Sequence, residues 1–235
     1  MTMSASPLVV WAMASLAILV AVLVIVAVWI STRAALTTSI TAVMVLALMA
    51  AQYAIASTGV LRGWDRRPPP LVLLIAVTVA LTLGFAFSRL GANIAARTSW
   101  ALLIGSQVFR FPLELTMHRA STEGVMPVQM SYSGYNFDII TGIGAFVVSS
   151  LFVIGRGSRR VVIVWNAAGL CLLVNIVAIA IASLPLFRAF GEDRLNVWVT
   201  YPPFVWLPGI LVPFALLGHV LVWRKLRITK KTSAT

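Results

Sequence analysis

The chain is short of charge and of one sign of it in particular. Only 10% of its 235 residues are charged, and six of those are acidic against eighteen Lys and Arg. Soluble domains carry about 25% charged residues. Lysine is scarcer still: Lys225, Lys230 and Lys231 all follow the last long apolar run. A Schiff base buried among apolar helices is therefore excluded. One cysteine, Cys171, leaves no internal disulfide. Two histidines, and no Cys/His grouping at metal-ligand spacing, leave no metal centre to expect. The HExxH, GxSxG and glycine-rich phosphate-loop patterns are absent, which removes the enzyme classes built on them. No cofactor is implied.

What fills the chain instead is apolar sequence, 60% of all residues, with a mean hydropathy of +0.99. A water-soluble fold of this length could not hide so much of it. The expectation is one all-α membrane domain over 1–235. A spanning helix needs about 20 mostly apolar residues, and seven runs qualify: 8–31, 37–60, 70–90, 98–118, 137–155, 161–184 and 203–223. The first is too long for the apolar core of a signal peptide and reads as a retained anchor.

Charge placement suggests an orientation. With the N-terminus outside, the inner loops and a basic tail over 224–235 hold eleven cations, Arg33, Arg89, Arg97, Arg156, Arg159 and Arg160 among them. The outer loops hold six, diluted by four acids. The cation bias favours seven spans with the N-terminus out and the C-terminus in the cytoplasm, in a cell inner membrane. The inner face suits anionic lipid headgroups. The cations are spread over short loops rather than gathered on a soluble face, so the net charge of +12 does not indicate a nucleic-acid partner. Residues 119–136 and 185–202 are the long loops, both expected to fold over the outer mouth. Oligomeric state has no signature here.

One run departs from the apolar pattern. In QVFRFPLELTMHR, residues 107–119, the side chains of Gln107, Arg110, Glu114 and His118 recur at three- and four-residue spacing on one helix face. Ionisable groups inside a bilayer cost at least about 2.5–3.5 kcal/mol each and face the bundle interior. Pro112 cannot donate to the carbonyl of Val108, which predicts a kink. The stripe could be an Arg110–Glu114 pair that only ties helices, or the floor of a polar pocket opening outward. Asn136 and Asp138, in SYSGYNFDIITG, read as N-cap and first turn of the next helix, at the depth of Glu114 and His118. Asn175 is the better placed of two asparagines in WNAAGLCLLVN, as pocket lining or as an interhelix hydrogen bond. His219 lies over ~20 Å from His118 by rise per residue, so no shared haem or zinc site is expected.

The segments FRFPLEL, EGVMPVQMSYSGYNFDIITG, WNAAGLCLLVNIV and YPPFVWLPGILVP together resemble a group of small bacterial polytopic membrane proteins without an assigned activity. The resemblance covers residues 105–222. It implies a bacterial membrane protein and assigns a role to no residue.

Three functions fit these residues. The first is binding, and possible translocation, of a small polar solute by Gln107, Arg110, Glu114, His118, Asn136, Asp138 and Asn175. The second is an embedded enzyme acting on a lipid or isoprenoid, with Glu114 or Asp138 as base and His118 as proton shuttle. The third is a structural factor whose polar groups only fix packing.

Overall fold

The computed structural model describes residues 5–232. Among them it is helical throughout, without a strand. Nine α-helices follow in chain order: α1 Pro7–Thr32, α2 Ala35–Ser57, α3 Pro70–Phe87, α4 Arg89–Arg97, α5 Trp100–Gly105, α6 Arg110–Thr122, α7 Ile139–Val153, α8 Arg159–Ala182 and α9 Val212–Thr232. Local chemistry explains several starts. The hydroxyls of Ser6, Ser88, Ser99 and Ser158 accept from backbone N–H groups in the first turns of α1, α4, α5 and α8, and Pro7 and Pro70 occupy positions where no N–H is needed.

Five helical segments are long and apolar enough to cross a membrane: Pro7–Thr32, Ala35–Ser57, Pro70–Phe87, Arg159–Ala182 and Leu207–Thr229. The other two expected spans take different forms. The run 98–118 is one helical path broken into α5, a 3-10 turn over Ser106–Phe109, and α6. The 3-10 turn contains Val108, whose carbonyl would take the N–H that Pro112 lacks, so the ladder is incomplete there. The run 137–155 is α7, a shorter apolar helix of 15 residues. Two boundaries also move. The run 70–90 stops at Phe87, because Ser88 caps a separate α4. The run 203–223 starts late: Tyr201–Val205 form turns, and a π-helical stretch over Leu207–Leu211 leads into α9. Of the basic tail, Arg224 to Thr232 continue α9; residues 233–235 and the side chains of Lys230 and Lys231 lie outside the described part.

The Leu207–Thr229 segment is the most buried of the five long ones, 61% against 17% for α3. It packs on α3, α4, α5 and α8, while α1 packs on α2, α4 and α6. Large apolar side chains such as Trp11, Leu36, Val43, Met44 and Phe146 point outward, as lipid contact requires.

Hydrogen bonds across the bundle define which ends meet. Arg97 donates to Ser31 O at 3.0 Å, Arg224 to Ser88 O at 3.2 Å, and Lys225 to Ala95 O and Thr98 O at 3.0 and 2.7 Å. Basic side chains thus close the carbonyl ends of α1, α3 and α4 at one side, where the helix dipole favours them. At the opposite side the start of α1 meets the end of α6. Glu123 accepts from Ser6 N at 2.8 Å, Ser6 Oγ at 2.7 Å and Arg119 Nε at 2.7 Å. The two long loops join there too, through Gln129 Nε2 to Ser183 Oγ at 2.9 Å and to Arg194 O at 2.8 Å.

The Ser6 backbone N–H first, then the Ser6 hydroxyl and Arg119, hold the Glu123 carboxyl below its ordinary value of 4.5. A depressed carboxylate stabilises the folded state above that ordinary value and loses its contribution as pH falls through the lower folded one. Glu123→Gln is expected to melt at a lower temperature than the parent at neutral pH. The gap should hold down to about pH 4.5 and close below it, as read by thermal unfolding in detergent.

Candidate functional site

The site is built on Arg110, the first residue of α6 and only 1% exposed. Its guanidinium holds Asp138 in a two-point grip, Nε to Oδ2 at 2.7 Å and Nη2 to Oδ1. Its third nitrogen, Nη1, lies 2.6 Å from His219 Nε2. The tautomer of His219 follows from its other side. Asn166 Nδ2 donates to the His219 backbone carbonyl at 3.2 Å, which turns Asn166 Oδ1 toward His219 Nδ1 at 2.9 Å. Nδ1 therefore carries the proton, and Nε2 offers a lone pair to Arg110. The indole of Trp165 lies against the imidazole, 5.5 Å between centroids, and donates to Thr141 O at 3.1 Å.

Asp138 is further fixed by the Thr141 hydroxyl, 3.0 Å from Oδ1. Its own N–H donates to Asn136 Oδ1 at 3.1 Å. The Asn136 amide then reaches Met130 O at 3.0 Å and Glu114 Oε2 at 2.7 Å. One continuous buried chain thus runs Glu114–Asn136–Asp138–Arg110–His219–Asn166, drawing on α6, α7, α8, α9 and the loop before α7. Two glycines make room for it. A Cβ on Gly169 would sit 2.6 Å from His219 Cε1, and one on Gly142 would sit 2.5 Å from Phe111 N, where α7 crosses α6.

Glu114 ends this chain differently from Asp138. Both carboxylates are buried, but among the described residues Glu114 forms no ion pair and accepts one hydrogen bond, at Oε2. Its other oxygen has no protein donor. Glu114 is among the residues that line a cavity of about 490 Å³, bounded by α3, α6, α8 and the Leu207–Leu216 stretch. All but four of the 27 lining residues are apolar; the four are Arg110, Glu114, Asp138 and Asn196. Val174 and Ile181 of α8 line the cavity and are 61% and 43% exposed on the outer face of the bundle. The cavity therefore opens through the side of the bundle, beside α8.

The stripe seen in the sequence is divided by the fold. Arg110, Glu114, Asn136 and Asp138 come together. The Arg110–Glu114 pair, one of the two readings of the stripe, does not form, since Asp138 takes the guanidinium. The cap of α7 also differs: Asp138, expected in the first turn, is the N-cap residue and makes no capping bond, and Asn136, expected as the N-cap, lies two residues before it. Gln107 is fully buried near Gly218, away from the chain of bonds, with Oε1 unpartnered. His118 is half-buried, stacked on Tyr132 with centroids 4.3 Å apart and 3.0 Å from Ser133 Oγ. Asn175 donates to Tyr135 O at 2.9 Å and fastens the loop to α8. The asparagine that joins the site is Asn166, nine residues earlier.

His219, set aside in the sequence as a partner for His118, is a central member. It lies twelve residues after Leu207, and Arg110 lies twelve before Thr122, so the two sit at matching depth. Counting from the true start of the helical stretch, rather than from Pro203, would have found it. No group of three or more His, Cys, Asp or Glu side chains able to hold a metal occurs among the described residues. Comparison with protein-family models, curated proteins and solved structures returned no match.

Removing one partner of a buried ion pair strands the other, at a cost of about 3–5 kcal/mol. Arg110→Met and Asp138→Leu should each lower thermal stability by that order. The double variant should be less destabilised than either single change, because it leaves no unpaired charge. A double variant with the summed loss would show that the pair is not the coupling element.

Proposed function

We propose that this protein binds an amphipathic, lipid-like molecule from within the membrane. The ligand's chain lies in the cavity beside α8 and its polar end meets Glu114. The observation that carries the reading is the cavity itself: 490 Å³, lined by hydrocarbon, with Glu114 among its few polar lining residues. Small-molecule sites are typically about 300–1,000 Å³, mostly apolar, with a few placed polar groups. A small polar solute finds less support. The stripe that would have received it is occupied by its own partners, and the lining offers such a solute almost nothing but methyl and methylene groups.

The proposal includes the arrangement in the membrane. α5 and α6 act as one broken span and α7 as a short one, giving seven crossings of a bacterial inner membrane. The N-terminus lies outside and the C-terminus in the cytoplasm. The capped helix ends at Ser31, Ser88 and Thr98 then face the cytoplasm with the excess cations, in keeping with the positive-inside tendency. Cys171 is the chain's one cysteine, so single-cysteine variants in a Cys171→Ala background test the sidedness. In intact spheroplasts, an impermeant maleimide should label Thr122→Cys, while Arg156→Cys should label only after permeabilisation. The reverse pattern would invert the topology.

The ligand itself is sought by mass spectrometry of molecules that co-purify into lipid nanodiscs. Ala178, an exposed residue on the cavity wall, can be enlarged without disturbing the buried chain of bonds. A lipid-like species should accompany the parent and be depleted in Ala178→Phe and in Glu114→Gln, both remaining folded. Equal lipid profiles in all three proteins would end the cavity reading.

A further inference from the structure

The lipid-facing belt of the bundle is not equally tall on all sides. α1 exposes large apolar side chains from Leu8 to Trp29, about 31 Å along its axis at 1.5 Å per residue, and α8 from Val161 to Ile181, about 30 Å. Both match the hydrocarbon core of a bilayer, about 30 Å. α7 exposes such side chains only from Ile140 to Val153, about 20 Å. The path through α5 and α6 exposes them from Leu102 to Leu115, again about 20 Å, and Arg119 follows one turn later with 59% of its side chain exposed. Tilting α7 would only shorten its reach across the bilayer.

Side-chain contacts show which end falls short. At the basic side of the bundle, Trp100 of α5 lies under Lys225 and stacks on Phe152 of α7, 5.8 Å between centroids, so α5 and α7 are level there. α8 begins just beyond, at Arg159. At the other side, Asn175 of α8 donates to Tyr135 O at 2.9 Å. Asn175 lies about 24 Å from the start of α8 and about 10 Å short of its end at Ala182. The chain before α7 therefore meets α8 well below the top of α8. Residues 131–138 form turns rather than helix, and Ser133, Tyr135 and Phe137 are exposed. Irregular backbone does not face lipid within the hydrocarbon, where its polar groups would lack partners. Tyrosine is at home at the headgroup level. Outward of this point lies the other long loop, whose Phe190 ring meets that of Tyr135 with centroids 6.1 Å apart.

We infer that the protein thins the bilayer on the side formed by α5, α6 and α7, drawing the headgroups of one leaflet inward to the level of Tyr135. The displacement is about 8–10 Å, the shortfall of α7 against the bilayer core and of Tyr135 against the top of α8. Lipid meets such a mismatch by local thinning at modest cost. The headgroups on this side then stand level with Asn136 and with Glu114, to which Asn136 is bonded. The inference rests on the seven-crossing arrangement proposed above, in which α7 spans, and not on the cavity.

The test compares two nitroxide labels at equal height. Val174 lies on the cavity side of α8 and Asn175 on the α7 side, so labels on Tyr135→Cys and Val174→Cys, in the Cys171→Ala background, are level with each other. Depth in phosphatidylcholine nanodiscs is read by collision with oxygen, with a soluble nickel complex and with a nickel-chelating lipid. The Tyr135 label should respond to both nickel probes and read about 8–10 Å shallower than the Val174 label, which should respond to oxygen alone. Phe137→Cys repeats the measurement if Tyr135→Cys does not fold. Equal depths for the two labels overturn the inference. So does a Tyr135 label reached by soluble nickel and not by the nickel lipid, which marks a water-filled crevice. A Tyr135 label reached by no probe marks a face covered by a second copy, and overturns it too. A label on Phe146→Cys, midway along α7, separates the two proposals. If it reads as hydrocarbon, α7 crosses the membrane whatever Tyr135 shows. If it reads as water, the crossing fails and the thinning with it.

Discussion

A single guanidinium, buried to 1% exposure in the middle of an apolar bundle, is the constraint around which this half of the protein is arranged. Arg110 cannot give up its charge and is almost wholly shut off from solvent. Every one of its nitrogens must find an acceptor from the protein. Asp138 supplies two, and His219 the third. To bring Asp138 there, α7 must begin well inside the bundle, and this is why α7 has only 15 residues and why the segment before it folds inward. To bring His219 there, the Leu207–Leu211 stretch must open into a π-helix and set the register of α9. Gly142 and Gly169 allow the required approach of α7 to α6 and of α8 to α9. A larger side chain at either place would push apart the elements that the guanidinium holds together.

This arrangement also decides the character of the cavity. Satisfying Arg110 within the protein removes its positive charge as a feature available to ligands. What remains beside it is hydrocarbon from α3, α8 and α9, interrupted by Glu114 and Asn196. In lipid there is little hydrophobic force to close such a space, because lipid tails are as apolar as the side chains that line it. A gap between helices can persist at low cost where acyl chains can fill it.

Much of the architecture was legible in the sequence. The apolar runs marked the helical segments, and the polar run at 107–119 marked Arg110 and Glu114 as interior groups. Asn136 and Asp138 were legible as their company. The choice of partner was not. Glu114, four residues from Arg110, is the obvious mate by spacing, yet Asp138 can present both oxygens to the planar edge of the guanidinium. His219 was obscured for a different reason. Its depth depends on where the last helix begins, and a proline-rich opening gives several plausible starting points; Asn166 joins the site only through His219. The cavity had no marker at all, because it is space between α3 and α8, and neither helix carries a residue that announces it.

The excess of cations on one side has two causes that a count of loop charges merges. Helices α1, α3, α4 and α9 all finish at that side, and each ends with carbonyls that lack intrahelical donors. Arg97, Arg224 and Lys225 supply donors to the first three. Their positions follow from the fold and would hold in either orientation. Arg33, Arg89, Arg156, Arg159, Arg160 and Arg227 form no ion pair among the described residues, so it is these, with the two tail lysines, that carry the information about sidedness. With the three capping residues set aside, the eleven-to-six bias narrows to eight against six, and the four acids of the outer loops then matter more to the argument than the cations do. The topology therefore rests on the contrast between an acid-free side and a mixed one.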